Sequence, residues 1–201
     1  MRYTRREEND AYVAELTFDA LSYEELHDKK LPRPSTRVRV QVRRREADFA
    51  RIIELGDVSV PSAPWFDARL MVLMDDILFV GLANGLLLID PADATVSKHI
   101  RTGNTEVVQI EPDFGRRRIL VVNEAYGFST EDGASNVAAL DYDGTLAWRA
   151  PEVSEAWETA KGYSHIMAMD QTVLEVTTWS GRCHLDITNG HIISCWFTKG
   201  S

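Results

Sequence analysis

An ungapped internal repeat is the feature of this chain that most restricts its fold. Residues 78–100 align with residues 174–196 at an offset of 96 positions, which places Asp90 on Asp186. A third, looser copy lies between them and puts Asp141 at the equivalent position, so the period is about 48 residues. A period of this length, with strand-forming and turn-forming residues in each copy, indicates a β fold built from radially repeated units.

Each of the three copies divides into four short segments of strand-forming residues, and turn-forming residues separate these segments. Helical periodicity is missing, and short strands joined by tight turns favour antiparallel sheets. The sequence therefore predicts three four-stranded antiparallel units over residues 61–201. The predicted strands are 68–74, 77–82, 86–90 and 95–100, then 106–111, 118–122, 136–141 and 145–150, then 163–169, 172–178, 182–186 and 191–197.

The N-terminal residues 1–60 follow a different pattern and are predicted as a separate β segment. Residues 36–43 alternate valines with arginine and glutamine, which indicates a half-buried strand. Residues 12–18, 49–55 and 57–60 are further predicted strands, and Ser22 is the predicted N-cap of a short helix at 22–26. This segment is either a degenerate fourth unit or an attachment that covers the edge of a three-unit arc.

Two of the copies share a further pattern of aspartate, turn and tryptophan. In one copy Asp141 is followed by Gly144 and Trp148, and in another Asp186 is followed by Trp196. Over roughly residues 67–198 the chain thus resembles the blades of quinoprotein (PQQ-type, WD40-like) β-propellers. The resemblance implies an all-β, propeller-like fold, with a tryptophan that packs between blades. Since the chain supplies four blades at most, fewer than quinoprotein enzymes use, we expect no cofactor.

The recurrent aspartates invite a catalytic interpretation, but a structural role explains them better. Asp90, Asp141 and Asp186 each stand at the end of a predicted strand, directly before a turn. An aspartate in that place accepts hydrogen bonds from the backbone N–H groups of the turn. Such a role accounts for recurrence in every copy, so we predict turn caps and no catalytic residue.

The last hairpin holds the densest group of potential metal ligands: Cys183, His184, Asp186, His191 and Cys195. Strand alternation sends Cys183 and His184 to opposite faces, which works against a zinc site, and we predict no metal. The two cysteines are near each other across the hairpin, and we expect them to be reduced in a cytoplasmic protein. The N-terminus lacks the apolar segment of a signal peptide, and the longest apolar run is too short to span a membrane.

The charge of the chain is unevenly distributed. Residues 1–60 hold 12 basic and 12 acidic side chains, so the whole net charge of −9 lies in residues 61–201. An acidic repeat region repels phosphate backbones and argues against nucleic acid as a partner. It suits a basic protein, because opposite charges speed the approach of two proteins.

The longest connections of the repeat are expected to emerge together on one face, where function is most often located. They carry aromatic and acidic side chains, which are typical of a protein-binding surface unless the aromatics fold beneath their own loops. The predicted partner-binding residues are Trp65, Tyr126, Phe128, Glu131, Asp132, Glu155, Trp157 and Trp179.

The sequence thus predicts a non-enzymatic module that binds a basic protein, with an immunity protein against a toxin as one such case. The alternative is a propeller-type enzyme or a sugar- or peptide-binding protein, with His165, Glu106 or Arg69 near the axis. A homodimer is a third prediction, because an open arc of blades leaves sheet edges to cover.

Overall fold

The computed structural model describes residues 2–19, 36–58, 69–82, 85–101, 106–123, 135–158 and 162–198, and all regular structure in these ranges is β. The all-β prediction is confirmed. These residues form four antiparallel sheets of four strands each, and they contain no helix long and apolar enough to cross a bilayer. The chain divides into two compact units, Met1–Ile110 and Glu111–Ser201.

The first unit contains two sheets in which strands adjacent in sequence are also adjacent in space. The first sheet consists of β1 (Arg2–Glu8), β2 (Tyr12–Asp19), β3 (Thr36–Arg44) and β4 (Arg51–Val58). The second sheet consists of β5 (Met71–Met74), β6 (Ile77–Leu82), β7 (Gly85–Asp90) and β8 (Thr95–Arg101). The prediction of three blades plus an N-terminal segment is therefore corrected, because the N-terminal residues complete a four-stranded sheet of their own.

Two details of the first sheet differ from the prediction. The prediction did not include strand β1, because the segment Arg2–Glu8 carries five charged side chains. In the structure its residues alternate between exposed and half-buried. Strand β4 is continuous where two strands, 49–55 and 57–60, were predicted. The predicted helix at 22–26 lies outside the described residues.

Alternation within the first sheet builds the core of the first unit. Alanine, leucine and phenylalanine of β2 and three valines of β3 point to one face and are buried, while arginines and glutamate point to the other. Burial of each of these valine, leucine and phenylalanine side chains stabilises the fold by roughly 1.5–3 kcal/mol. The core cluster lies between the two sheets of this unit and comprises Ala14, Leu16, Phe18, Val38, Val40, Val42, Leu70, Met71, Leu73, Leu78, Val80, Leu82, Leu87 and Ile89.

The second unit holds the other two sheets, and its strands match the prediction closely. The third sheet consists of β9 (Val107–Asp113, which begins before the unit boundary), β10 (Arg118–Asn123), β11 (Val137–Asp141) and β12 (Leu146–Arg149). The fourth sheet consists of β13 (Tyr163–Met169), β14 (Val173–Thr178), β15 (Gly181–Asp186) and β16 (Ile192–Phe197). The turn residues in the sequence were enough to predict these strand ends, because Gly144 and Gly190 adopt the positive φ that tight turns require.

A buried asparagine and tyrosine connect the third and fourth sheets. The Asn136 side chain accepts the backbone N–H of Tyr163 at 2.8 Å and donates to the carbonyl of the same residue at 2.5 Å. The Asn136 side chain thus forms the two backbone hydrogen bonds that a neighbouring strand would otherwise form with the first residue of β13. The Tyr163 hydroxyl donates to the Pro151 carbonyl at 2.8 Å, and burial raises the pKa of this tyrosine.

One of the two repeat tryptophans packs between sheets, as the resemblance implies. Trp148 on β12 is 7% exposed, and its indole N–H donates to the Ile187 carbonyl at 3.1 Å, in the turn that follows β15. The expectation is wrong for Trp196, which is 36% exposed and lies edge-on against His184 of its own sheet. It belongs to a strand at the edge of the last sheet, where no further described strand follows.

The turn-cap prediction is confirmed for Asp90 and Asp186. Asp90 Oδ1 accepts the Ala92 N–H at 2.7 Å. Asp186 Oδ1 accepts the N–H of Thr188 at 2.8 Å and its hydroxyl at 2.6 Å. Both carboxylates therefore organise the turn that follows their strand, as short polar side chains do by bonding the backbone two residues ahead.

The prediction is wrong for Asp141, which forms a cross-strand ion pair with Arg118. Arg118 Nε donates to Asp141 Oδ1 at 2.9 Å, and the two residues stand opposite each other in the antiparallel register. The cap in this turn is Asp143, whose Oδ1 accepts the Thr145 N–H at 2.8 Å. The sequence could not separate the two because each is an aspartate within reach of the same turn.

The two cysteines form a disulfide, which corrects the expectation of a reduced pair. Cys183 on β15 and Cys195 on β16 stand directly opposite each other in the register. Their Cα atoms are 4.1 Å apart, which corresponds to a position where antiparallel strands share no hydrogen bond. The bond joins the edge strand β16 to the sheet.

Acid is expected to destabilise the last turn through Asp186. Hydrogen bonds from the Thr188 hydroxyl and N–H hold the pKa of this carboxyl below its ordinary value of 3.8. A lowered folded-state pKa contributes stability above the ordinary value and loses it as the pH falls through the folded value. Urea midpoints from about pH 7 to about pH 2.5 should therefore drop less below pH 4 in Asp186→Asn than in wild type. Equal acid profiles of the two proteins would contradict this role.

Candidate functional site

The structure describes three of the eight predicted partner-binding residues, and all three belong to the second unit. Glu155 is exposed, Trp157 is half-buried, and Trp179 is 64% exposed. The other five, Trp65, Tyr126, Phe128, Glu131 and Asp132, lie outside the described residues. The three described residues occupy two segments, 151–158 and the turn between β14 and β15, which meet at one end of the last sheet.

The turn that carries Trp179 is held by hydrogen bonds on both sides. Thr178 Oγ1 accepts the Gly181 N–H at 2.9 Å. The Glu158 carboxylate accepts the Ser180 N–H at 2.9 Å, and only 4% of this residue is exposed. A buried carboxylate needs partners of this kind, since it loses its hydration shell. The turn is therefore fixed from within while Trp179 projects outwards.

Trp157 completes this arrangement from the segment before β13. Its indole lies over the backbone of Gly181, so closely that a methyl group on that glycine would overlap the ring. It also meets the ring of Phe197 edge-on, with 5.9 Å between ring centroids. Phe197 stands opposite Gly181 in the register and is 55% exposed. We call Trp157, Trp179, Phe197 and Glu155 the turn patch.

The turn patch differs from the predicted surface in two residues. Phe197 was absent from the prediction because its exposure depends on its place in an edge strand, which periodicity does not show. Glu158 belongs to a connection that was expected to carry exposed acidic side chains, yet it is buried and accepts a hydrogen bond from the turn. No local sequence pattern indicates that Glu158 holds the turn, because this role depends on a hydrogen bond with the backbone of Ser180, 22 residues away.

The three residues proposed for an enzyme or small-ligand site, Arg69, Glu106 and His165, are each at least partly buried. Arg69 Nε lies 3.4 Å from the carboxylate of Glu7, and Glu106 is buried within the first unit. In the second unit, burial lowers the pKa of the half-buried His165. The described residues include no group of three histidine, cysteine, aspartate or glutamate side chains that could hold a metal ion.

A shallow cavity of about 270 Å³ lies at one end of the first sheet. Guanidinium groups and carboxylates both line it, and Arg39 is paired with Glu54 at 3.1 Å. Because the charges alternate in sign, the lining gives no field of one sign to select an anion or a cation. Its residues are Arg2, Thr17, Phe18, Asp19, Arg37, Val38, Arg39 and Glu54.

Comparison with known sequences identifies the second half of the chain as similar to an uncharacterised family. A model described as a domain of unknown function (DUF7957) matches residues 99–197, which is slightly less than half of the chain. No curated protein matches the sequence. The matched region contains the turn patch, the disulfide and all described strands of the second unit.

Several solved structures are similar to this chain at very low sequence identity. The AfRom2 CNH domain is 10% identical, with a TM-score of 0.51 over 100% of this chain and 55% of that chain. HIRA(644-1017) is 8% identical, with a TM-score of 0.47 over 92% of this chain and 49% of that one. The beta-propeller domain of Myceliophteria thermophila Cps50 (Swd1) is 12% identical, with a TM-score of 0.48 over 95% and 71%.

The similarity to the CNH domain supports the fold and leaves the function open. The chain spans about half the length of the CNH domain and of the HIRA structure. Similarity to the CNH domain, together with four consecutive four-stranded antiparallel sheets, confirms a fold of repeated, blade-like units. None of these comparisons indicates the PQQ-type subclass, which stays a prediction.

Proposed function

We propose that this chain is a non-enzymatic protein-binding module that uses the turn patch as its contact surface. The observation that carries the proposal is Trp179, a large aromatic side chain that is mostly exposed on a turn held by buried partners. Tryptophan is enriched among the residues that contribute most to protein–protein binding. A fixed turn lowers the conformational entropy that binding would otherwise cost.

The charge of the surroundings supports a basic partner. Glu152 and Glu155 are exposed in the segment that carries Trp157, and residues 61–201 hold the whole net charge of −9. An acidic surround steers a basic protein towards the patch and raises the association rate. An exposed indole also attracts lysine and arginine side chains through cation–π contact. A basic toxin is one partner of this kind, for which the chain would act as an immunity protein.

Replacing Trp179 by alanine is expected to weaken partner binding about 30-fold, which corresponds to about 2 kcal/mol. The experiment captures partners from native cells on immobilised wild type, then measures the affinity of each purified partner for Trp179→Ala. The matched control is Phe49→Ala, which removes an equally exposed aromatic side chain from the first unit. Partners that bind Trp179→Ala as tightly as wild type would contradict the proposal.

A second pair of variants tests whether the turn must be held in place. Glu158→Gln keeps an oxygen acceptor for the Ser180 N–H, whereas Glu158→Ala removes it. We expect Glu158→Gln to bind nearly as wild type and Glu158→Ala to bind more weakly, with a faster dissociation rate.

Because the partner is proposed to be basic, added salt should weaken binding.

A further inference from the structure

The last strand of the chain combines an edge position with a sequence that carries no formal charge. Strand β16 reads IISCWF, and it is hydrogen-bonded to β15 on one side only within the described residues. Ile193 is 57% exposed, Phe197 is 55% exposed and Trp196 is 36% exposed. Strands of this composition pair readily with other strands when their edge is open.

In each of the other three sheets, the last strand in chain order carries charged side chains. Strand β4 carries Arg51 and Glu54, β8 carries Lys98 and Arg101, and β12 carries Arg149. Charged side chains on edge strands are a common means of preventing unwanted pairing. The absence of any charge from β16 therefore distinguishes it from the strands β4, β8 and β12, which end the other sheets in chain order.

The backbone of β16 also presents hydrogen-bonding groups to the open side. The Cys183–Cys195 pair has the short Cα spacing of a position without hydrogen bonds, and the Thr198 N–H donates to the Ser180 carbonyl. Alternation along the strand then directs the N–H and C=O groups of Cys195 and Phe197 away from β15. These groups lie on the side of β16 where no further described strand pairs with it.

We infer that β16 pairs antiparallel with β16 of a second copy of this chain. A twofold axis at Trp196 places Cys195 opposite Phe197 of the other copy, so that their outward groups form four backbone hydrogen bonds. The two Trp196 side chains then face each other at the non-hydrogen-bonded position, where cross-strand side chains are closest. Aromatic pairs in that position stabilise a sheet. The interface is self-complementary, as a twofold contact requires.

The lack of charge on β16 permits a second copy at this edge, where the twofold register makes the strand complementary to itself. Two chains of net charge −9 repel each other, and an uncharged strand is where they approach with the least repulsion. Strand β16 offers a basic partner no carboxylate, and Phe197 at its end is the one residue that it shares with the turn patch. The disulfide holds β16 against β15, so the edge is already ordered before pairing. This inference does not depend on the function proposed for the turn patch.

The expected result is a weak dimer with a Kd of about 1–100 μM, because one strand pair buries little surface. Sedimentation equilibrium of the intact, oxidised chain should show a mass rising from 22.7 kDa towards twice that value as concentration increases. Salt should strengthen the dimer by screening repulsion, whereas it should weaken binding of a basic partner. The opposite salt responses distinguish this inference from the proposed function.

Charge exchange at the axis tests the register. Trp196→Lys alone and Trp196→Glu alone should each be monomeric, because like charges face each other across the axis. An equimolar mixture of the two should restore the dimer. Trp179→Lys, at an exposed tryptophan outside the strand, is the matched control and should dimerise as wild type. Circular dichroism checks folding, and Ile193→Lys, which charges the same edge at an exposed position, replaces any variant that fails to fold.

Three outcomes would overturn the inference. The first is a wild-type mass of 22.7 kDa at every concentration up to about 500 μM. The second is a dimer that persists in Trp196→Lys and in Ile193→Lys. The third is a mixture of the lysine and glutamate variants that stays monomeric although both variants are folded.

Discussion

Replacing Trp148 by alanine should lower the free energy of unfolding of the unit Glu111–Ser201 by about 3–5 kcal/mol. The side chain is 7% exposed and fills the space between β12 and the turn after β15. Removal leaves a cavity and also leaves the buried Ile187 carbonyl without its donor, which costs about 1–3 kcal/mol by itself. Since domains of this size are stable by only about 5–15 kcal/mol, the loss is a large fraction.

Trp148→Phe separates the two contributions, because phenylalanine keeps most of the ring but lacks the indole N–H. We expect it to cost less than Trp148→Ala and more than the exposed control Trp179→Ala, which should change stability by less than about 0.5 kcal/mol. Urea unfolding followed by circular dichroism measures all three. A Trp148→Ala protein as stable as the control would show that this contact does not hold the sheets together.

Gly190 offers an independent check of the same contact. It has φ of +75°, and a methyl group there would overlap the Trp148 ring. Gly190→Ala should therefore suffer both backbone strain and overlap in wild type, at a total of about 2–4 kcal/mol. In the Trp148→Ala background only the strain of about 1–2 kcal/mol remains. Equal costs in the two backgrounds would contradict direct contact between these residues.

Loss of the Cys183–Cys195 bond is expected to destabilise the same unit by about 3 kcal/mol, the value for a closed loop of about 15 residues. The Cys183→Ala/Cys195→Ala double variant should unfold at lower urea than oxidised wild type. Reduction of wild type should give a similar shift in the urea midpoint. Hydrogen exchange should locate the loss in β16, which the bond joins to β15. Identical urea midpoints for oxidised and reduced wild type would contradict this role.

The bond also bears on location. Disulfides persist in oxidising compartments and are rare in a reducing cytosol. The cytoplasmic location therefore stays a prediction, and thiol labelling of the chain in native cells tests it directly. If both cysteines label as free thiols there, β16 is attached to its sheet by hydrogen bonds alone, and the dimer should be weaker than that of the oxidised chain.

Strand positions followed from the sequence wherever the signal was local. The third and fourth sheets were predicted to within a few residues because glycines, aspartates and alternation mark each turn and strand over short distances. Strand β1 was not predicted, because five of its seven residues are charged and its alternation is weak in the sequence. In the structure Tyr3 stacks on Phe18 of β2, with 4.7 Å between the ring centroids. The burial of Glu158 was not predicted for a similar reason, because its role as an acceptor depends on a turn 22 residues further along the chain.

The sequence by itself determined the repeat, its four strands per unit and the turns at Asp90 and Asp186. These features depend on backbone conformations and hydrogen bonds within a few residues of each other. The tertiary structure decided that Trp148 is buried while Trp179 and Trp196 are exposed, that the two cysteines bond, and that β16 is an edge. Burial and register arise when segments distant in sequence pack together, so no local pattern could have distinguished one tryptophan or one strand from its repeats.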